Sequence, residues 1–195
     1  MTTQAHKSSR PKVFVIAGTS GTGKTSVATN LLDHYKKDLP NLKYLEGDDL
    51  HPEANVKKMS SGHPLQDEDR WDWLKIVAHK SSDVARLSHG ISIITCSSLK
   101  KKYRDLIRAT EPNVDFYFIF LYANQEEIFA RLNNRKGHFM KANMMQSQFD
   151  DLELPIPHQE KNCAVVNFEG KPLDVITNEV LVYIEKALHN EDFNM

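Results

Sequence analysis

The chain has 195 residues, with 25 basic against 26 acidic side chains and a formal net charge of -1. That length suits one α/β domain with a sizeable core, and the charge balance excludes a general nucleic-acid or membrane-surface role, because no global positive field exists to attract polyanions. No apolar run approaches the roughly 20 residues that span a bilayer, and Cys96 and Cys163 sit inside apolar runs, as expected of buried thiols in a reducing, cytoplasmic compartment rather than of a disulfide or metal pair.

Residues 1–10 are polar, lack the apolar core of a signal peptide and read as a short disordered tail. Residues 11–190 follow as one domain, without internal repeat or composition shift. Val13, Phe14, Val15, Ile16 and Ala17 form a short apolar run that predicts a buried strand over about 12–17. It leads into Gly18, Thr19, Ser20, Gly21, Thr22, Gly23, Lys24 and Thr25, which match the phosphate-loop pattern G-x-x-x-x-G-K-[ST] at every specified position. Glycines let the backbone curl so that several N–H groups point at one anion. A helix starting at Lys24 adds its positive dipole end. Lys24 supplies a mobile ammonium for the β- and γ-phosphates of ATP, and the Thr25 hydroxyl is a hard ligand for Mg2+. Val27, Ala28, Leu31, Leu32 and Tyr35 recur at helical spacing and extend this helix to about 37.

Beyond a break at Pro40 and Asn41, residues 43–46 read as a second strand, which ends in Gly47, Asp48, Asp49, Leu50, His51 and Pro52. A polar stretch to Pro64 carries a short helix near 55–60. Asp67 or Asp69 is expected to cap the next helix, whose apolar face is Trp71, Leu74, Val77, Ala78, Val84 and Leu87. Gly90 ends it. Residues 91–96 predict a third strand, and Ser97 or Ser98 is expected to cap a helix over 100–110. Residues 116–122 form a fourth strand, and Asn124 caps a helix through Asn133. Residues 135–157 are basic and Met-rich and read as a mobile lid with one helix near 142–151. A strand over 163–168 and a helix over 172–188 complete the chain. The alternation predicts a three-layer α/β fold, with a mainly parallel five-stranded sheet covered by helices on both faces.

A phosphate loop serves GTPase switches, ATP-driven motors and small-molecule kinases alike. The guanine-reading Asn-Lys-x-Asp motif is missing from the sequence, and the apolar strands end in Cys96-Ser97-Ser98 and Tyr122-Ala123-Asn124 rather than in the Asp that motors use for Mg2+. The acidic group sits instead in Glu46-Gly47-Asp48. Carboxyl ends of strands line the ligand crevice of an open parallel sheet. Asp48 is therefore expected to share a crevice with the phosphate loop, where it can take a proton from an attacking hydroxyl or hold Mg2+ through water.

The segments GTSGTGKT, GDDLHPEANVKKMSSGHPLQDEDRWDWL, CSSLKKKYRDLIR and ARLNNRKGHFM, in that order, resemble the gluconokinase family of phosphate-loop kinases, and the likeness covers most of residues 13–167. The resemblance implies a shikimate-kinase-like enzyme that uses ATP and Mg2+ to phosphorylate the 6-hydroxyl of D-gluconate, and it implies a homodimer. Two departures stand out. Glu46, where the family often has Asp, reaches one methylene further, and Asp49, often aromatic or apolar in relatives, adds charge beside Asp48.

Within this frame Lys24 and Asp48 are the catalytic candidates, with Asp48 as general base. Gly18 through Thr25 bind the nucleotide, and Thr25 meets the metal. His51 is either a substrate contact or a structural hydrogen-bond partner, and Lys58 is either a substrate contact or a solvated lysine. Arg70 is expected to pair with the substrate carboxylate, the alternative being a helix-surface salt bridge to its acidic neighbours. Lys100 and Arg104, at i and i+4, are expected to share a helix face toward the substrate. The resemblance places Arg131 and Arg135 at the adenine or the phosphates as the lid closes, with a Glu127 salt bridge as the alternative for Arg131. Lys136 and a hinge at Gly137 belong to the same lid, and His138, Phe139 and Met140 match a family signature whose chemistry the sequence does not state. A kinase for another small polyol acid or a nucleoside monophosphate, and a nucleotide-binding regulator that has lost turnover, remain open.

Overall fold

The computed structural model describes residues 10–133, 142–156 and 158–193. The expected tail up to residue 9 and the lid candidates Arg135, Lys136, Gly137, His138, Phe139 and Met140 lie outside the described residues. Five strands, β1 (Lys12–Ala17), β2 (Tyr44–Glu46), β3 (Ile91–Thr95), β4 (Asp115–Tyr122) and β5 (Cys163–Asn167), pair in the order β2-β3-β1-β4-β5, every pair parallel.

Side chains alternate across a strand, and here the two faces bury different helices. Phe14, Ile16, Ile119 and Leu121 pack against α1 (Lys24–Tyr35) and α7 (Leu173–Leu188) through Val27, Leu31, Val180 and Ile184. Val13, Val15, Phe118 and Phe120 pack against α3 (Asp67–Leu87) and α4 (Lys101–Thr110) through Leu74, Val77, Tyr103 and Ile107. These are the three expected layers. They also explain why β1 reads as an unbroken apolar run: every residue in it is buried, because both faces are covered. β1 lies between β3 and β4, so the connections on either side of it diverge and leave a crevice at its carboxyl end. Around that crevice stand α2 (Glu53–Ser60), α5 (Gln125–Asn133) and α6 (Ala142–Asp151).

Several helix ends differ from expectation. Gln66, not Asp67 or Asp69, is the N-cap of α3, in a capping box in which the Asp69 carboxylate accepts the Gln66 N–H at 2.7 Å. α4 begins at Lys101 with Lys100 extended at its N-cap, and neither Ser97 nor Ser98 caps it. Asn124 does cap α5, its Oδ1 accepting the Glu127 N–H at 2.9 Å. On α3, Trp73 rather than Trp71 is the buried indole, and Leu87 is 85% exposed. Cys96 and Cys163 are buried free thiols, and among the described residues no helix is long and apolar enough to cross a membrane.

Arg104 lies inside the α3/α4 layer at 1% exposure. Its Nε and Nη2 donate to the two Glu160 carboxylate oxygens, each at 2.7 Å, and Nη1 donates to the carbonyls of Ser98 and Leu99 at 2.9 and 3.1 Å. Burial alone would raise Glu160, but hydrogen bonds from Arg104 and the charges of Arg104 and Arg108 outweigh it and bring the carboxyl from 4.5 down to about 2. Removing one partner of a buried ion pair strands the other charge. Glu160→Gln is therefore expected to lower stability by about 3–5 kcal/mol at neutral pH, read by urea unfolding. A carboxyl depressed in the folded state contributes stability above its unfolded pKa and loses it as pH falls through the folded one. The gap between parent and variant should accordingly close between pH 4.5 and about 2; a gap that stays constant across that window would remove the ion pair as its cause.

Candidate active site

The phosphate loop is shaped by where β1 ends. A Cβ at Gly18 would sit 2.5 Å from the Leu121 carbonyl oxygen, and its φ is +133°, so the turn beside β4 admits glycine alone. Gly23, in the left-handed region, is the N-cap of α1. Thr22 Oγ1 and Lys24 Nζ both donate to the Thr19 carbonyl, at 3.0 and 2.8 Å, which ties Lys24 back across its own loop. The Ser20 N–H donates to Gln148 Oε1 of α6 at 2.6 Å.

The turn after β2 brings the second half of the site. A Cβ at Gly47 would lie 2.1 Å from the Thr95 carbonyl oxygen, so the chain passes β3 at backbone contact. Trp73 Nε1 donates to the Gly47 carbonyl at 2.8 Å, and the His51 ring stacks on Trp73 at 4.0 Å between centroids. The Asn55 amide donates to the Asp69 carbonyl at 2.7 Å and lies 3.2 Å from His51 Nδ1. That carbonyl identifies the amide as a donor, so Nδ1 accepts and Nε2 carries the proton. Burial, with the Arg70 charge, lowers His51 from 6.5 to about 4. The ring is neutral at pH 7, and its 3.9 Å approach to Asp48 Oδ1 is a polar contact rather than an ion pair. Asp48 keeps most of its side-chain surface, yet the crevice walls crowd it. That partial desolvation raises its pKa above 3.8, Lys24 opposes the rise, and Glu46 and Asp49 add to it.

Glu46 joins the two halves. Its Oε2 accepts the Thr25 hydroxyl at 2.9 Å and also the Tyr44 phenol, and its Oε1 accepts the Thr95 hydroxyl. Burial and the Glu46 hydrogen bond push Tyr44 up to about 12, so the phenol remains a donor. The hydroxyl of Thr25 and the carboxylate of Glu46 are hard oxygens of the kind Mg2+ takes. No group of three or more His, Cys, Asp or Glu side chains suited to a metal occurs among the described residues.

Between these parts lies a cavity of about 110 Å³, bounded by Lys24, Asp48, His51 and Arg70 and covered by Met144 and Gln148 of α6. Arg70 is 7% exposed, not a helix-surface residue. Its Nη2 donates to the Leu65 carbonyl at 3.3 Å and lies 3.7 Å from Asp151, while its buried Nε has no hydrogen-bond partner among the described residues. Two of its acidic neighbours, Asp67 and Asp69, are engaged elsewhere. Asp69 pairs with Lys58 at 2.5 Å. Asp67 accepts from Lys102, Tyr103 and Lys100, which hold its carboxyl well below the usual range. Lys100 Nζ reaches Asp67 at 3.0 Å and Asp151 at 2.9 Å.

The expected pair of Lys100 and Arg104 is not formed. Lys100 is extended, so helical i, i+4 spacing does not apply to it, and the Arg104 guanidinium is spent on Glu160 inside the protein. Lys58 is held by Asp69 and does not line the cavity. Arg131 pairs with Glu127 at 3.0 Å and covers the Phe168 ring at 4.3 Å, away from the cavity. Sequence reasoning missed Trp73, Gln148 and Asp151. The capping-box spacing at Gln66 and Asp69 was the one local signal that fixed the start of α3 and, with it, the direction of Trp73.

The family model for adenylylsulphate kinase matches residues 10–150. A probable gluconokinase of Saccharomyces cerevisiae is 52% identical over 190 residues, 96% of this chain and 98% of its own. The thermoresistant gluconokinase of Escherichia coli is 37% identical over 175 residues, 90% of this chain and 94% of its own. The crystal structure of a gluconokinase from Sinorhizobium meliloti 1021 superposes with a TM-score of 0.77 at 33% identity, covering 93% of this chain and 95% of that one. With a phosphate loop, a facing Gly-Asp turn and an arginine-walled cavity in one crevice, and with relatives matched from end to end, the chain belongs to the gluconokinase family of phosphate-loop kinases.

Proposed function

We infer that the protein is an ATP-dependent gluconokinase, which transfers the γ-phosphoryl group of ATP to the 6-hydroxyl of D-gluconate and yields ADP and 6-phospho-D-gluconate. The observation that carries the acceptor is Arg70: a buried guanidinium beside the cavity, with an N–H that has no hydrogen-bond partner among the described residues. Such a donor is costly to leave unmade, and a carboxylate matches its fork. Lys100, linked to the same spot through Asp151, is a second cation within reach of that carboxylate. Asp48, which also lines the cavity, takes the proton of the attacking hydroxyl, and the protonated Nε2 of His51 offers a donor to a neighbouring hydroxyl. Lys24 and the loop amides neutralise the phosphates, and Thr25, whose proton is given to Glu46, would hold Mg2+, which supplies charge neutralisation on the phosphate oxygens.

A cavity of about 110 Å³ is smaller than the roughly 300–1,000 Å³ that small-molecule pockets need. In this reading α6 is part of the lid: it withdraws to admit substrates and returns to exclude water, the competing acceptor. A cytoplasmic site is in keeping with the two free thiols, and a homodimer rests on the family resemblance.

A coupled ADP-release assay over D-gluconate, other aldonic acids, shikimate, adenylylsulphate and nucleoside monophosphates tests the function. Turnover is expected with D-gluconate, and a preference of orders of magnitude for any other acceptor would overturn the assignment. Asp48→Asn should cut kcat by about 100-fold or more while ATP binding is retained. In the parent, kcat/KM should fall as pH drops through the raised Asp48 pKa, because protonation removes the base. An equal loss of ATP affinity in the variant would instead assign Asp48 a structural role. Arg70→Ala should raise the D-gluconate KM by about 10- to 100-fold with the ATP KM unchanged, as expected when a charged hydrogen bond is lost. If thermal stability alone changes, Arg70 is not the carboxylate contact.

A further inference from the structure

Glu46 is one methylene longer than the aspartate expected at its position, and a longer carboxylate has more ways to miss its target. Three hydroxyls converge on it. Thr25 and Tyr44 donate to Oε2, and Thr95 donates to Oε1. The convergence is a product of the sheet. Tyr44 stands two residues before Glu46 on β2, and side chains two apart share a face. Thr95 is the residue opposite Glu46 in the parallel β2–β3 register. Thr95 also lies 3.4 Å from the Gly47 amide and 3.5 Å from the Tyr44 hydroxyl, so the group is bound to the same backbone that carries Asp48.

The consequence concerns Thr25. A hydroxyl has one proton and two lone pairs. Giving the proton to Glu46 turns the lone pairs away from Glu46. We propose that Tyr44 and Thr95 are positioning residues for phosphoryl transfer: their hydroxyls hold the Glu46 carboxylate on the Thr25 hydroxyl and thereby aim the Thr25 lone pairs at Mg2+. This rests on the reading of Thr25 as a Mg2+ ligand. Without the two donors, Glu46 is released to other rotamers. Groups that orient a metal ligand from behind contribute to metal affinity although they never touch the ion.

The test uses Mn2+ as a spin probe, titrated into the purified full-length protein with saturating ADP, together with metal-free ADP binding by calorimetry. Tyr44→Phe, which keeps the ring, is expected to weaken Mn2+ binding by about tenfold, the low end for such orienting groups, with metal-free ADP affinity and the D-gluconate KM at parental values. Thr95→Val should shift Mn2+ binding in the same direction, and Thr95→Ser should restore it. Parental Mn2+ affinity in both Tyr44→Phe and Thr95→Val overturns the proposal. So does an equal loss of metal-free ADP binding, which would mean a distorted loop rather than a misaimed ligand. Thr25→Val separates the underlying assignment: parental Mn2+ affinity in that variant removes Thr25 from the metal site, whatever Tyr44 does.

Discussion

Backbone contact between the end of β2 and the end of β3 is the constraint on which the rest of the site depends. Gly47 has no room for a side chain against the Thr95 carbonyl. Because the chain passes so close, three things follow from a single approach. Glu46 comes within reach of the Thr95 hydroxyl. The Gly47 carbonyl turns to the Trp73 indole. Asp48 is carried over the crevice opposite Lys24. A larger residue at 47 would lift the whole turn, and Asp48 and the Glu46 carboxylate would leave register together. The phosphate loop is tied through Thr22 and Lys24 to its own Thr19 carbonyl and through the Ser20 N–H to Gln148 of α6. The β2 turn winds into one short 3-10 turn over Gly47–Leu50, and β3 and α3 fix where that turn sits.

Two buried arginines on neighbouring elements show how burial alone fails to distinguish structure from function. Arg104 has its guanidinium filled by one carboxylate and two carbonyls. Arg70 is comparably buried, but its Nε has no partner among the described residues and its carboxylate neighbour stands 3.7 Å away. A saturated guanidinium is a tether between distant segments. An unsaturated one, next to a cavity, is a binding group whose energy is held for a ligand.

The fold was legible because its signals are local. Strand runs, helical periodicity and the phosphate-loop spacing all lie within a dozen residues of one another, and the elements appear where they were expected. The Gly-Asp turn was legible for the same reason, once the sheet was taken as parallel. Charge pairing was not. Arg104 finds Glu160 at a separation of 56 residues, and no spacing rule reaches that far. A boundary shift of one residue sufficed to undo the Lys100–Arg104 pairing, since a residue just outside a helix does not share its faces. Trp71 and Trp73 differ by about 200° around α3 at 100° per residue. The choice between them depends on where α3 begins, which the Gln66–Asp69 box decides.

α6 bridges the two ends of the crevice. It presents a carboxamide oxygen to the Ser20 amide and a carboxylate to Arg70 and Lys100. These are a neutral acceptor on the phosphate side of the crevice and an anion on the acceptor side, both mounted on one rigid helix of ten residues. One ten-residue helix thus ties down both ends of the crevice, so any movement of it reaches the phosphate side and the acceptor side together.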